Sequence, residues 1–351
     1  MISPSNSPLY LNHIQVLSRP APIPGRVNED AWLVLESALS PGYVIAAVID
    51  GASARFTIPK LVAAVNRDAP GSTAAAFAAS LVRTSLIRQL NSRPDLPLPA
   101  ALLAANQELQ QAMANIIGGF SPEYILELAG IPAGEKDPRR MRLALPACVV
   151  TLARLDVTRR QLEYAHAGDT ALLEIRRDGS VVGHTSDQMG RYDGAVLKYA
   201  ERLHQEQGLA HLSEAIGRPE VRRLDIENGL RHNYVDEAGR THPGEGCGVL
   251  NGLPELADYI ERGTIRVEPD HTAGFCLLSD GLQLLAPLDE TTAHFEARRR
   301  EMGALLRTQG VRGLFEAVRQ MAEADPYYEV YPRMKAQDDA SGIYLEISET
   351  G

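Results

Sequence analysis

Gly274-Phe275-Cys276-Leu277-Leu278-Ser279-Asp280-Gly281-Leu282 is an apolar run that stops abruptly at an acid followed by glycine. A buried strand that ends on a carboxylate at the edge of its sheet aims that carboxylate into a cleft, and the glycine leaves room beside it. The construction recurs at Tyr43-Val44-Ile45-Ala46-Ala47-Val48-Ile49-Asp50-Gly51-Ala52-Ser53, preceded by the acidic pair Glu29-Asp30. A second acidic pair, Asp338-Asp339, opens the strand-like Gly342-Ile343-Tyr344-Leu345-Glu346-Ile347. Taken singly, an Asp at a strand end is most often a turn former. Repeated at strand ends far apart in sequence, such carboxylates point to one shared cation site. Hard divalent cations take oxygen ligands, and magnesium keeps several waters while using only a few carboxylates.

Composition narrows the function classes. The 351 residues are 44% hydrophobic and 23% charged, enough for a sizeable core in one large domain. A formal charge of -10 argues against a nucleic-acid partner, because affinity for phosphate backbones comes mainly from Lys and Arg. The cysteines Cys148, Cys247 and Cys276 have no CxxC pairing, as expected of buried thiols in a reducing compartment. Residues 1–25 lack a basic start and a continuous apolar stretch, and no later run approaches a membrane span. A soluble cytoplasmic protein with no membrane partner is expected; its oligomeric state is not encoded in any pattern.

Outward from the three acidic motifs, the segment Leu9 to Trp32 reads as a strand, a Pro-rich turn at Pro20 to Pro24, and a second strand starting near Ala31. Gly71-Ser72-Thr73 reads as the start of a helix over Ala74 to Leu90, and Pro99 as the start of another to Ile117. The two should cover one face of a sheet. Runs from Cys148 to Leu155, Leu162 to Ala167 and Ala171 to Arg176, the last turning at Asp178-Gly179, read as an antiparallel meander. Residues 186–260 are polar and rich in His, Gly and Arg, with one helical piece near Ala195 to Ile216 and a linker-like stretch from Asp236 to Gly248. They read as a flap inserted over the site within a single domain spanning 1–351, since strand chemistry resumes at Thr264. Thr291 to Ala324 reads as an amphipathic helix pair. His166, in an apolar strand, reads as a hydrogen-bonded structural residue, and Ser53 as a turn hydroxyl or a hydrogen-bond partner of a metal-bound water, not a nucleophile.

The order of these motifs resembles the metal-dependent protein serine/threonine phosphatases, the PPM or type-2C family, in a divergent, bacterial-like form. The residues that carry the likeness are Asn28-Glu29-Asp30-Ala31, Val48 to Ser53, Ala167-Gly168-Asp169-Thr170, His184 to Gln188, Leu277 to Leu282 and Asp338 to Ser341. The resemblance implies an α+β fold, a four-layer αββα sandwich of two antiparallel sheets flanked by helices. It implies two Mn2+ or Mg2+ ions bridged by Asp50, with the Gly51 carbonyl, Asp280 and Asp338 as further ligands and Glu29 or Asp30 in support. Asp169 would help to hold a third, weaker ion. A metal-bound hydroxide would attack the phosphorus of phosphoserine or phosphothreonine in a protein substrate directly.

Several positions depart from the family pattern. Asp50-Gly51-Ala52-Ser53 lacks the histidine that some relatives place after Asp-Gly, and Leu284 stands where some carry a further aspartate. Arg26 is the candidate for binding the phosphoryl group but lies one position nearer the acidic pair than the family's arginine, with Arg19 and Arg55 as alternatives. These departures leave two further readings: a phosphatase-like binding protein that hydrolyses nothing, and a phosphatase of a small phosphorylated metabolite.

Overall fold

The computed structural model describes residues 9–36, 42–132 and 137–348; residues 1–8 of the N-terminal segment read for a leader lie outside them. The chain opens with strands β1 (Tyr10–Arg19), β2 (Ala31–Glu36) and β3 (Tyr43–Ala52), then helices α1 (Pro59–Asp68), α2 (Ala74–Ser92), α3 (Leu98–Ile117) and α4 (Pro122–Leu128). Strands β4 (Ala147–Asp156), β5 (Gln161–Ala167), β6 (Ala171–Arg176) and β7 (Val181–Gly183) follow. Helices α5 (Gly190–Gln207), α6 (Leu212–Ile216) and α7 (Pro219–Asn228) lead to β8 (Glu261–Arg266), β9 (Thr272–Leu278), α8 (Thr292–Ala324) and β10 (Ala340–Ser348).

Two five-stranded sheets result, ordered β1-β10-β9-β6-β7 and β2-β3-β4-β5-β8, and every pairing is antiparallel. The continuous apolar runs of the central strands follow from burial on both faces. In β3, Val44, Ala46 and Val48 point to the other sheet and meet Phe275, Leu277, Ile343 and Leu345. The alternate residues Ile45, Ala47 and Ile49 point outward to α1, α2 and α3, where Leu61, Leu86 and Leu102 are fully buried. In β9, Phe275 and Leu277 face the first sheet-to-sheet core, whereas Cys276 and Leu278 face Met302, Leu306 and Leu314 of α8. Period-two alternation therefore builds three stacked cores, and these are the interfaces of the four-layer αββα sandwich. Each fully buried Leu, Ile or Phe contributes roughly 1.5–3 kcal/mol.

Several local expectations hold. Thr73 caps α2 by accepting from Ala76 N at 3.1 Å, and α8 is two helices broken at Gly310. The break falls where Gln15 of β1 inserts its Oε1 and accepts from Val311 N at 3.2 Å. Others need correction. The expected meander is divided between the sheets: β4 and β5 pair in one, β6 and β7 in the other, and the chain crosses over at Gly168-Asp169-Thr170. α1, α4 and α7 are helices that the sequence pattern does not announce. The single helical piece at 195–216 is two helices, because Gly208 takes a left-handed conformation with φ 57° and ends α5. Residues 236–248 carry an internal turn, in which Asp236 Oδ1 accepts from Ala238 N and Arg240 N, each at 2.9 Å.

Candidate metal centre

Strand register brings the acidic motifs to one end of the sandwich. In one sheet, β9 ends at Leu278, which is opposite Gly342 near the start of β10 and Ala171 at the start of β6. Asp280, Asp338 and Asp169 lie just beyond those three strand ends. In the other sheet Asp50 is opposite Val149, and Ile49 is opposite Ala31, directly after Glu29-Asp30. The glycine of each Asp-Gly motif has a steric reason. A Cβ on Gly281 would stand 1.8 Å from the carbonyl oxygen of Asp339, and one on Gly51 would stand 2.6 Å from that of Glu29. Any side chain at either position would drive apart the segments that carry the acids.

A hydrogen-bonded frame holds these segments. Asp339, 2% exposed, accepts from Ala21 N at 2.6 Å and Glu29 N at 2.8 Å, so it clamps the N-terminal loop under the site. Ser279 Oγ donates to Asp30 Oδ2 at 2.9 Å and accepts from Ser341 N at 2.9 Å. Asn28 Oδ1 accepts from Asp30 N at 3.0 Å. Glu29 Oε2 accepts from Arg26 at 3.3 Å and from Ser53 Oγ at 3.2 Å. Ser53 thus spends its hydroxyl on Glu29, 24 residues earlier in the chain, and not on a local turn. Of the alternatives to Arg26, Arg55 pairs with Asp225 of α7 at 2.7 Å, and Arg19 lies at the exposed end of β1.

The electrostatics are those of an anionic cluster short of positive charge. Burial holds the Asp50 carboxyl well above the ordinary carboxylate range, and the charges of Asp30, Asp280, Asp169 and Asp338 push it further. Asp169 is raised for the same reasons, by burial first and then by Asp280, Asp187 and Asp193. Burial and Asp280 lift Asp30 to about 7 against the pull of its serine hydrogen bonds. Asp338 rises to about 6 through burial and Asp280, with Lys335 opposing. Asp30 Oδ1 and Asp169 Oδ1 are buried with no hydrogen-bond partner. Such orphaned oxygens are costly unless a cation or proton meets them.

Among the described residues no three His, Cys, Asp or Glu side chains close into a ready-made metal cage. The carboxylates feel one another's charge without sharing a coordination sphere. This donor set of oxygens alone, spread around an opening at the exposed Asp280, suits a hard ion that retains its waters and not a tight thiolate or imidazole site. The buried thiols of Cys148, Cys247 and Cys276 are free. His166 is structural in its bonding: Thr151 Oγ1 lies 3.0 Å from Nδ1, and the carbonyls of Gly168 and Ser186 lie 3.1 and 3.0 Å from Nε2.

Sequence reading missed three contributors. Asp339, beside Asp338 in sequence, spends its carboxylate on Ala21 N and Glu29 N, and its charge also raises Asp30. Asp187 and Asp193 add charge beside Asp169, and burial together with Asp187 lifts Asp193 to about 7. Asp187 Oδ1 also accepts from Met189 N at 3.0 Å and Gly190 N at 2.7 Å at the start of α5, a local signal that Asp-x-x-Gly at a helix start carries.

The family model for protein phosphatase 2C matches residues 23–323, from before the first acidic motif to the end of α8. This chain belongs to that family. As a protein phosphatase 2C it is a phosphoprotein phosphatase of the serine/threonine type. Solved structures similar to it include RsbX in complex with magnesium, at 12% identity and TM-score 0.45, with 96% of each chain covered. The serine/threonine phosphatase PstP/Ppp of Mycobacterium tuberculosis is 15% identical with TM-score 0.46, covering 97% of this chain and 99% of that one. Stp1 from Staphylococcus aureus is 13% identical with TM-score 0.47, covering 96% and 95%. No curated protein matches the chain at a significant level. Among the described residues, no helix is long and apolar enough to cross a membrane.

Proposed function

We propose that this protein phosphatase 2C hydrolyses phosphoserine and phosphothreonine in protein substrates with two Mn2+ or Mg2+ ions held at the strand-end cluster. The observation that carries this reading is the pair of buried, unpartnered oxygens on Asp30 and Asp169 beside the mutually repelling Asp50, Asp280 and Asp338. Asp50, the Gly51 carbonyl, Asp280 and Asp338 would hold the ions, Glu29 and Asp30 would steady their waters, and Asp169 would serve a weaker third. Divalent ions bound there would lower the pKa of a water and offset the charge of the phosphoryl oxygens, the chemistry that direct hydrolysis at phosphorus requires.

The chain's own residues do the rest. Glu29 orients the Arg26 guanidinium, which is 26% exposed in its side chain and can turn its free N–H groups to a phosphoryl oxygen. Residues 186–260 act as a flap, joined to the frame by Gln188, whose Oε1 accepts from Gly168 N at 3.1 Å and Gly248 N at 2.7 Å. The free buried thiols favour a reducing, cytoplasmic compartment.

The test is hydrolysis of para-nitrophenyl phosphate and a phosphothreonine peptide with Mn2+ or Mg2+, against EDTA and an Asp280→Asn control. Activity that needs the ion and disappears in the variant supports the reading, with the peptide outpacing the small ester. A small phosphorylated metabolite hydrolysed faster than the peptide would move the assignment to that substrate class. Ion binding without hydrolysis would move it to a binding scaffold.

A further inference from the structure

The loop between α8 and β10 is wound around one buried guanidinium. Arg333 pairs with Asp325 Oδ2 at 3.1 Å and donates to the carbonyls of Asp325 at 2.6 Å, Ala322 at 3.1 Å, Tyr331 at 2.9 Å and Ala336 at 3.1 Å. On the far side Arg319 of α8 donates to Gln337 Oε1 at 2.7 Å and to the Asp338 carbonyl at 2.6 Å. Lys335 therefore sits on backbone fixed at both flanks. Its side chain is half exposed and lays its ammonium on Asp338 Oδ2.

The same loop is fastened to the flap helices. Tyr328 and Met334 pack against Val196, Ala200, Leu212 and Val221 of α5, α6 and α7. Glu329 Oε1 accepts from Leu212 N at 3.0 Å, and the Tyr327 ring stacks on His211 at 3.6 Å. Nearby guanidiniums are committed elsewhere: Arg26 to Glu29, Arg55 to Asp225 and Arg319 to the loop backbone.

We infer that Lys335 is a positioning residue for Asp338 and the built-in counter-ion of the acidic centre, one that yields the carboxylate when a divalent ion binds. The inference rests on the proposed metal reading and deepens it. A carboxylate oxygen engaged in a charge-assisted bond with an ammonium must release it to take an inner-sphere cation, and like charges then drive the ammonium away. The flexible four-carbon stem of lysine allows that swing, and the loop then loses the ion pair that ties it to Asp338. Ion binding at Asp338 is thereby tied to the loop and, through Glu329, Tyr327 and Tyr328, to the flap.

Calorimetric titration of the full chain with Mn2+ tests this, using wild type, Lys335→Met, Lys335→Arg and Asp338→Asn. Lys335→Met should bind Mn2+ roughly fivefold more tightly, the weight of a partly exposed ion pair, and Lys335→Arg should return affinity toward wild type. In hydrogen exchange, Mn2+ should loosen residues 327–336 in wild type and leave them unchanged in Lys335→Met. Unchanged or weaker affinity in Lys335→Met, with affinity lost in Asp338→Asn, overturns this inference and leaves the metal reading standing. An Asp338→Asn variant that binds Mn2+ as wild type does overturns both.

Discussion

Two desolvated carboxylate settings in this molecule behave in opposite ways. Asp325, 5% exposed, is raised by burial, but three backbone N–H groups and Arg333 outweigh that and leave it below the ordinary carboxylate range. Asp50 and Asp169 are half-buried, but their neighbours are further acids, and loss of water and those charges hold both well above that range. Desolvation is common to the two; satisfaction separates them. A carboxylate surrounded by donors organises a loop, whereas a group of carboxylates short of donors is arranged for something that arrives from outside.

The comparison is broken most directly by exchanging charge for amide in each setting. Asp280→Asn should reduce ion-dependent hydrolysis by at least about 100-fold and leave the melting temperature in EDTA equal or higher, since it removes repulsion. Asp325→Asn should do the reverse. It leaves Arg333 buried without its counter-charge and should lower stability in urea by about 3 kcal/mol. If Asp280→Asn destabilised the metal-free chain as strongly as Asp325→Asn, the two settings would not differ in kind.

The legible and illegible parts of the sequence divide along the same line. Strand ends such as Leu278-Ser279-Asp280-Gly281 were readable because an apolar run, an acid and a glycine each obey a local rule, whereas the layers came only from the family resemblance. The crossover at Gly168 was not, because a turn between paired strands and a turn between sheets have the same local chemistry; only the long-range pairing of β6 with β9 separates them. Asp339 escaped for a similar reason. Its partners, Ala21 N and Glu29 N, lie more than 300 residues away in sequence. Within 186–260, Gly208 was present to mark the end of α5, but the polar helix α7 is held by packing of Val221 in the cluster with Tyr328 and Met334, which no local pattern announces.

pH sharpens the contrast. Asp30 titrates at about 7 in the folded chain against an ordinary 3.8, and Asp338 at about 6. Groups raised on folding contribute stability that is full below about 4 and is lost as pH rises through 6 to 7. In EDTA the melting temperature should therefore fall across that window, by an amount on the order of a few kcal/mol of stability, and saturating Mn2+ should reverse the fall above pH 7. Asp325, lowered on folding, contributes the other way, with stability present above about 4 and lost as pH drops further. A flat profile between pH 5 and 8 in EDTA would contradict the description of the centre. The smallest effect expected is that of Ser279→Ala, which removes the donor to Asp30 Oδ2. It should cost about 1 kcal/mol in urea at pH 8 and less at pH 5, where Asp30 is protonated.

Anomalous diffraction at the manganese edge from crystals grown with Mn2+ bears most directly on the central claim. Two peaks at the shared end of the sheets, both within coordination distance of Asp50 and flanked by Asp280 and Asp338, are the predicted result. Peaks elsewhere on the surface, with Asp50 bare, would contradict it.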